Sequence, residues 1–304
     1  MGPVTGTGIE IPQGWAAAAD HVLSENGRVL VLGPRDAGKS TFCRHVMDRA
    51  GAAGRSAALL DADTGQKTVG PPACVTLGHP ANRGLMLDAL FFVGTTNPVR
   101  GWHGIVAGIG RLAAEAAADV LLVNTGGLLA GPGRRLKAAK IEALNPDLLI
   151  AIGRDPGLDR VFADHPGLPV LRLAPSRRAR RKAEGERRAT REQAFRDYFA
   201  GARAWSVAAR DLVIEGAPAG ALPERLLVGL ADEAGRDLAL GIVSGIEAGR
   251  LTVSTPVERN RVRLLRCGAL LLDEAFREIR PAPSRASAAS AATAQRRAAG
   301  EGRS

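Results

Sequence analysis

The chain reads Gly33-Pro34-Arg35-Asp36-Ala37-Gly38-Lys39-Ser40-Thr41 after a short apolar run, and this stretch fits the phosphate-binding loop pattern G-x-x-x-x-G-K-[ST] at every fixed position. The glycines let the backbone wrap so that its N–H groups point at phosphate oxygens. Lys39 then supplies a charge to the β and γ phosphates, and the Ser40 hydroxyl is offered to Mg²⁺. We therefore predict that residues 33–41 bind a nucleotide and that Ser40 is also a metal ligand.

The regions around this loop alternate between short apolar runs and helical patterns. Strands are predicted at the apolar runs 28–33, 56–60, 119–123, 148–152 and 169–173, and helical patterns occur at 39–50 and 136–144. This alternation predicts an α/β fold of the P-loop NTPase type, in which a parallel sheet is covered by helices on both faces.

The texture of the sequence changes in its second half. Residues 187–205 predict an amphipathic helix with a basic face, and residues 211–280 contain short apolar runs punctuated by glycine. We predict a lead at 1–10, a P-loop domain at 11–210 with a lid at about 175–205, a small β-rich C-terminal domain at 211–280 and a disordered basic tail at 281–304. The runs in the β-rich part are 226–230, 238–243, 250–254, 261–265 and 269–272.

The composition excludes several classes of protein. Of the 304 residues, 45% are hydrophobic and 24% are charged, as in globular proteins, and no stretch approaches the roughly 20 apolar residues of a membrane span. No secretory signal is visible at the N-terminus, so we expect a cytoplasmic protein without a membrane partner. The three cysteines and five histidines are scattered, which argues against a disulfide framework or a zinc site.

The net charge of +10 is concentrated in two segments. Residues 171–196 hold ten Lys or Arg against three Glu, and the tail 281–304 holds four Arg against one Glu. Such a field attracts polyanions, of which nucleic acid is the first candidate. The alternative is a solvated helix face followed by a loose basic tail.

Two aspartates follow the second apolar run, 22 and 24 positions after the P-loop lysine. Because alternate residues of a strand face the same way, the carboxylates of Asp61 and Asp63 are expected on one side. One carboxylate would then hold Mg²⁺, commonly through water, while the other accepts a proton from an attacking hydroxyl. The alternative is a pair of solvated turn aspartates.

Further motifs extend this picture and resemble a known family. Asp61-Ala62-Asp63-Thr64-Gly65-Gln66 is similar to the D-x-D-x-G-Q element of the polynucleotide 5′-hydroxyl kinases, the P-loop RNA kinases of pre-mRNA cleavage, tRNA splicing and pre-rRNA processing with their prokaryotic relatives. The resemblance covers about residues 11–205. Its other elements, in the family's order, are Pro71-Pro72, Gly94-Thr95-Thr96-Asn97-Pro98, and Val123-Asn124-Thr125-Gly126-Gly127 with Gly131 and Gly133.

The resemblance implies roles for individual residues. In the family a Thr-Gly element clasps the phosphate-binding lysine, which implies this role for Thr125 toward Lys39. The family's usual tryptophan is replaced here by Gly127-Leu128. An arginine-bearing lid helix closes over the nucleotide phosphates in the family, and the matching arginines are Arg187, Arg188 and Arg191.

The activity implied is transfer of the γ-phosphate of ATP, or another NTP, to the 5′-hydroxyl of RNA or DNA with Mg²⁺. In the implied mechanism Asp63 accepts or orients the hydroxyl proton, and Asp61 is a metal ligand with Ser40. Gln66 could orient the magnesium shell or the terminal nucleotide. For the acceptor, Trp102 and His103 could stack on a base, and the basic stretch 177–182 could follow the backbone. A core tryptophan with an incidental histidine is the alternative for that pair. Two other functions stay open, namely an inactive ATP-binding scaffold of RNA processing and a regulatory P-loop NTPase.

Overall fold

A computed structural model describes residues 11–82, 84–176, 179–218 and 221–279. The apolar run before the phosphate-binding loop forms an inner strand of a seven-stranded sheet, whose spatial order is β4-β3-β2-β5-β1-β6-β7. These strands are β1 (Gly27–Leu32), β2 (Ala57–Ala62), β3 (Cys74–Ala81), β4 (Gly84–Phe92), β5 (Val120–Thr125), β6 (Leu148–Ile152) and β7 (Val170–Leu173). The strands β2, β5, β1, β6 and β7 pair in parallel. Their near-continuous apolar sequences are typical of strands buried on both faces.

Helices cover both faces of this sheet, as the alternating pattern predicts. The first five are α1 (Trp15–Ser24), α2 (Lys39–Ala52), α3 (Trp102–Glu115), α4 (Pro132–Leu144) and α5 (Pro156–Ala163). One core contains Trp15 and Phe42 from α1 and α2, and the other contains Ile109, Ile141 and Leu158 from the remaining three. None of the described helices is both long and apolar enough to cross a membrane. The predicted α/β architecture is confirmed.

One edge of the sheet differs from the predicted parallel arrangement. The strands β3 and β4 form an antiparallel hairpin, and β3 also pairs antiparallel with β2. The sequence analysis assigns no strand to this segment. Gly78, His79 and Pro80 interrupt the apolar run of β3, and β4 alternates between exposed and partly buried residues along much of its length. An edge hairpin needs no continuous apolar run, and this explains why the segment was missed.

The helix predicted over 187–205 is shifted toward the N-terminus. It is α6 (Glu184–Phe199), and residues up to Trp205 do not continue it. Instead β8 (Arg203–Ala208) pairs antiparallel with β12 (Arg250–Thr255), and Trp205 lies opposite Val253. The prediction was wrong here because Gly201 separates two segments whose apolar residues follow different periods.

A second sheet forms the C-terminal part of the chain, as the glycine-punctuated runs predict. Its order is β14-β13-β10-β11-β12-β8, and β9 pairs with β13. The predicted strands 261–265 and 269–272 form one continuous strand, β13 (Leu264–Leu272). A 3₁₀ turn over Arg259–Arg261 precedes this strand, so the strand begins later than predicted. The domain division at residue 210 stays a prediction, while β8 joins this sheet before that point. The remaining strands are β9 (Val213–Glu215), β10 (Leu226–Ala231), β11 (Asp237–Glu247), β13 (Leu264–Leu272) and β14 (Glu278–Ile279).

The edge hairpin, α6 and the second sheet share one core. Phe92 at the end of β4 packs on the glycine of β10, where a Cβ at Gly229 would lie 2.5 Å from the Phe92 ring. Phe195 and Phe199 of α6 are buried in the same core beside Leu240. The C-terminal end of α6 therefore packs against the C-terminal sheet. The predicted lead 1–10 and tail 281–304 lie outside the described residues.

Candidate functional site

The phosphate-binding loop connects β1 to α2. Gly38 has a φ of 100°, and a Cβ there would lie 2.9 Å from the Trp15 ring. Only glycine accepts this backbone conformation at so close an approach without strain. The loop therefore delivers Lys39 to the first turn of α2, the helix end whose free N–H groups favour anions.

Lys39 is buried against its own loop. Its side chain donates hydrogen bonds to the carbonyl oxygens of Gly33 at 2.9 Å and Pro34 at 2.6 Å. Burial lowers the pKa of Lys39 to about 8, and the nearby Asp63 carboxylate opposes that shift. The charge that phosphates need is thus held in a site partly shielded from water.

The two aspartates of the D-x-D-x-G-Q element occupy different environments. The Asp61 carboxylate is completely buried, accepts the backbone N–H of Asp63 at 3.1 Å, and lies 3.8 Å from the ammonium of Lys67. Burial raises the pKa of Asp61, against the effect of Lys67. Asp63 instead lies on the cleft and accepts the N–H groups of Gly65 and Gln66 at 3.0 and 3.1 Å. The expected common orientation fails because β2 ends at Ala62, so Asp63 belongs to a turn.

Asn124 connects Asp61 to the phosphate-binding loop. Its side-chain amide donates toward Asp61 Oδ1 at 3.1 Å and Ser40 Oγ at 3.2 Å. Asn124 is fully buried at the end of β5. Asp61 therefore reaches Ser40 through one intermediate side chain. Asn124 belongs to the motif Val123-Asn124-Thr125-Gly126-Gly127, but no role was predicted for it from the sequence.

The Thr-Gly-Gly turn touches the loop differently from what the resemblance implies. Thr125 donates a hydrogen bond to the Val31 carbonyl at 2.8 Å and accepts one from Lys137 at 2.8 Å. In the described part of the chain no hydrogen bond joins Thr125 to Lys39, so the implied clasp on the lysine is not found. The turn presses on the loop through Gly127, where a Cβ would lie 2.4 Å from the backbone nitrogen of Arg35.

The three lid arginines are placed unequally. Arg187 forms an ion pair with Asp36 of the loop, and its carbonyl accepts a hydrogen bond from Gln66 Nε2 at 3.0 Å. Arg191 pairs with Glu278 of β14, with 3.1 Å between Nε and Oε1. Both line the cleft, whereas Arg188 is exposed and does not. The lid helix thus contacts the loop at one arginine and the C-terminal sheet at the other.

These parts enclose a cleft of about 840 Å³. Its walls are the phosphate-binding loop, the turn after β2, the loop 96–99, the two glycines of the Thr-Gly-Gly turn, α4 and the lid. Trp102 and His103 do not line it, because the lining of that wall ends at Val99 and both residues lie in the first turn of α3. Of the basic stretch 177–182, Arg180 and Lys182 reach the cleft, while Arg177 and Arg178 lie outside the described residues.

Sequence comparison assigns this arrangement to a family. Residues 33–201, from the loop to the end of the lid, match the family described as mRNA cleavage and polyadenylation factor CLP1 P-loop, which is more than half of the chain. The chain belongs to this Clp1 P-loop family. The resemblance stated from the motifs is therefore confirmed.

Relatives of the chain carry a consistent name. A polyribonucleotide 5′-hydroxyl-kinase of Pyrococcus horikoshii is 30% identical over 68% of this chain, and the match spans 60% of that protein's length. A polyribonucleotide 5′-hydroxyl-kinase of Pyrococcus furiosus is 27% identical over 89% of this chain and 95% of the relative. The Clp1p structure solved in complex with Pcf11p shares the fold, with a TM-score of 0.66 at 14% identity over 84% of this chain and 78% of the other.

The Clp1-family cleft also contains two lysines that the sequence analysis missed. Lys137 and Lys140 lie on α4, and both are buried. Lys137 donates to Thr125 Oγ1 and to the Gly126 carbonyl, and Lys140 donates to the Ala62 carbonyl at 3.1 Å. Both lysines share the buried stripe of α4 with Leu136, Ile141 and Leu144, and lysines within an apolar stripe are the signal that could have revealed them.

Proposed function

We propose that the protein is a polynucleotide 5′-hydroxyl kinase that transfers the γ-phosphate of ATP to the 5′-hydroxyl of RNA. The observation that carries this proposal is that Lys39, Ser40 and Asp63 face one cleft with two lid arginines. A nucleotide-binding loop alone would also serve an NTPase. A carboxylate opposite the loop, in a cleft large enough for a second substrate, favours transfer to an acceptor.

Asp63 is the candidate base. Its Oδ1 atom is fixed by the N–H groups of Gly65 and Gln66, and in the described part of the chain no hydrogen bond is directed to its Oδ2 atom. Oδ2 faces the Gly126 backbone at the edge of the cleft. A carboxylate held by one oxygen keeps the other free to accept the proton of the attacking 5′-hydroxyl. The fixed oxygen sets the direction from which the hydroxyl approaches.

The phosphates of ATP would be bound by the loop and the lid. Backbone N–H groups at the start of α2 and the Lys39 ammonium would stabilise the β and γ phosphates. Arg187 and Arg191 also line the cleft, and there they would stabilise the negative charge of the transferring phosphoryl group. When the lid closes over bound ATP, Arg187 would leave the Asp36 carboxylate and bind a phosphate oxygen. One negatively charged partner would thus replace another.

Oxygen groups suited to Mg²⁺ reach the cleft from Ser40 and Asp63. The part of the chain that the structure describes has no cluster of three His, Cys, Asp or Glu. Mg²⁺ needs none, because in such sites it keeps several waters and shares substrate phosphates with one or two protein oxygens. Ser40 would hold the ion, with Asn124 and Asp61 orienting its hydroxyl. When bound, Mg²⁺ neutralises charge on the β and γ oxygens.

RNA is the proposed acceptor because relatives over most of the chain are named polyribonucleotide kinases. Exposed basic residues beside the cleft, including Arg180 and Lys182, would bind the sugar-phosphate backbone. Such contacts are electrostatic, so acceptor binding should weaken as salt is raised.

The test is transfer of labelled phosphate from γ-labelled ATP to matched RNA and DNA oligonucleotides with 5′-hydroxyl ends. We expect labelled RNA ends with the native protein, loss of label with Lys39→Ala and Asp63→Asn, and native activity with Asp88→Asn, an exposed carboxylate on the hairpin. ATP binding without transfer would support the scaffold alternative. Phosphate release without an acceptor would support the regulatory NTPase, and either result would overturn the proposal.

A further inference from the structure

The two lysines of α4 lie beside the candidate base. The Lys140 ammonium donates to the carbonyl of Ala62, the residue before Asp63. The Lys137 ammonium donates to the carbonyl of Gly126, and a Cβ on Gly126 would lie 3.4 Å from Asp63 Oδ2. Two cations therefore lie beside the carboxylate at which the acceptor hydroxyl would be positioned.

Among the described residues neither lysine forms an ion pair with a carboxylate. In the described residues the ion pairs within 4.0 Å include Lys67 with Asp61 but none for Lys137 or Lys140. Their hydrogen-bond acceptors are a hydroxyl and backbone carbonyls. The nearby Asp63 carboxylate favours the charged form of both lysines but forms no ion pair within 4.0 Å with either in the described residues, and burying a cation without such a direct partner is costly.

Lys39 provides the standard for comparison. It too is buried, lines the cleft, and donates to two backbone carbonyls without a carboxylate within ion-pair distance in the described part of the chain. Lys137 and Lys140 also line the cleft, and they donate to a hydroxyl and backbone carbonyls beside Asp63. The cleft thus has a lysine at the phosphate-binding loop and two more where the acceptor would lie.

We propose that Lys137 and Lys140 bind the transferred phosphoryl group on the acceptor side, as the γ-phosphate before transfer and as the RNA 5′-phosphate after it. This inference rests on the proposed kinase function. In the step, the bond from the β-phosphate bridging oxygen to the γ-phosphorus breaks and the bond from the RNA 5′-oxygen to that phosphorus forms. The hydroxyl proton passes to Asp63, and both lysines keep their protons and serve as cations.

The electrostatics agree with an anion site. Burial lowers the pKa of Lys140 to about 8 and that of Lys137 well below its ordinary value; the Lys140 ammonium lowers the pKa of Lys137 further, while the Asp63 carboxylate raises both pKa values. A phosphate dianion between them would relieve this repulsion and favour the charged forms. Product with a 5′-phosphate would therefore bind more tightly than the 5′-hydroxyl substrate.

The experiment compares equilibrium binding of one RNA oligonucleotide carrying either a 5′-phosphate or a 5′-hydroxyl, with ADP present. We expect the native protein to prefer the 5′-phosphate, and Lys137→Met and Lys140→Met each to reduce that preference about tenfold, as expected for loss of a charge-assisted hydrogen bond. Affinity for the 5′-hydroxyl oligonucleotide should stay within about twofold of native. Arg135→Met, an exposed cation on the same helix, should leave the preference unchanged.

A purely structural role gives a different result. It would weaken both oligonucleotides equally and leave the preference at its native value, and this would overturn the inference. The preference is measured within each variant, so partial loss of folded protein cancels. Should a methionine variant not fold, Lys137→Gln and Lys140→Gln remove the charge while keeping a hydrogen-bond donor.

Failure of the inference is distinguishable from failure of the function. If the native protein phosphorylates RNA but the variants keep the native preference, the kinase stands and the lysine site falls. If the native protein transfers no phosphate, the kinase falls. The lysine site is then tested by measuring the affinities of the native protein and the variants for ATP and for ADP. If the lysines contact the γ-phosphate, the variants bind ATP more weakly and ADP as the native protein does; equal effects on both nucleotides would overturn the site.

Discussion

The contact between Gly127 and the phosphate-binding loop makes a sharp prediction for Gly127→Ala. The added Cβ would lie 2.4 Å from the Arg35 nitrogen and 2.6 Å from its Cα, whereas ordinary contacts begin at 3.4 Å. Both opposing atoms are backbone, so the loop itself must move by about 1 Å. A displacement of this size at a reacting group costs about 100-fold in rate. We therefore expect kcat for phosphate transfer to fall about 100-fold.

Two further alanines calibrate this effect. At Gly126 the nearest atom to a Cβ is Asp63 Oδ2 at 3.4 Å, an ordinary contact, so Gly126→Ala should have a much smaller effect. Gly167 has open space around it, and Gly167→Ala should match the native protein. The assay is labelled-phosphate transfer at saturating ATP, with the midpoint of thermal unfolding measured for each variant.

The result that would refute the reasoning is a kcat for Gly127→Ala within about twofold of native. This result would mean that the Thr-Gly-Gly turn, and not the phosphate-binding loop, moves to make room for the added Cβ. A loss of rate that tracks a lower unfolding midpoint would also refute it, because the displacement argument concerns the folded protein. A graded series in which Gly127→Ala alone loses rate would support the turn as the element that fixes the loop.

Three other predictions follow from contacts described above. ATP affinity should fall as the pH rises above about 8, since Lys39 loses its proton there and must regain it to bind phosphate. Isothermal titration calorimetry should show a fall of about tenfold per pH unit from that proton, and Lys39→Met should lose this contribution while Lys140, whose pKa is also about 8, keeps its own. Glu278→Gln should break the ion pair with Arg191 and lower kcat about fivefold, which corresponds to about 1 kcal/mol for a partly exposed pair. The control Glu274→Gln, at an exposed position, should leave kcat unchanged, and labelled-phosphate transfer measures both variants. Phe195→Ala should lower the free energy of unfolding by about 3 to 5 kcal/mol in urea titrations, because the ring is fully buried, whereas no change would contradict the shared core.

The parts of the fold that could be predicted have local causes. A glycine-rich loop between an apolar run and a helical pattern fixes β1, the loop and α2, and polar residues after β2 and β5 mark the edge where the cleft lies. The hairpin β3–β4 escaped prediction because edge strands show no continuous apolar run. The orientation of Asp63 relative to Asp61 escaped prediction because strand alternation ends with the strand, at Ala62.

The residues missed in the site depend on burial, which single residue types conceal. A lysine is usually a surface residue, so the sequence alone did not indicate that Lys137 and Lys140 belong to the site. The packing of α4 shows that both side chains are buried. Trp102 and His103 were attractive as stacking residues, yet a base that lies in the cleft does not meet them. Distances between segments far apart in sequence decided both cases.

The burial of Phe195 and Phe199 within the C-terminal sheet also bears on how the chain is divided for expression. A fragment cut at residue 201, where the family match ends, would keep the lid helix but lose the residues that cover both rings. Its exposed aromatic surface would favour self-association. A usable fragment therefore has to retain the second sheet through β14, whose Glu278 holds Arg191. The predicted boundary at residue 210 is therefore a poor place to divide the chain for expression, because the lid helix and the C-terminal sheet share one core.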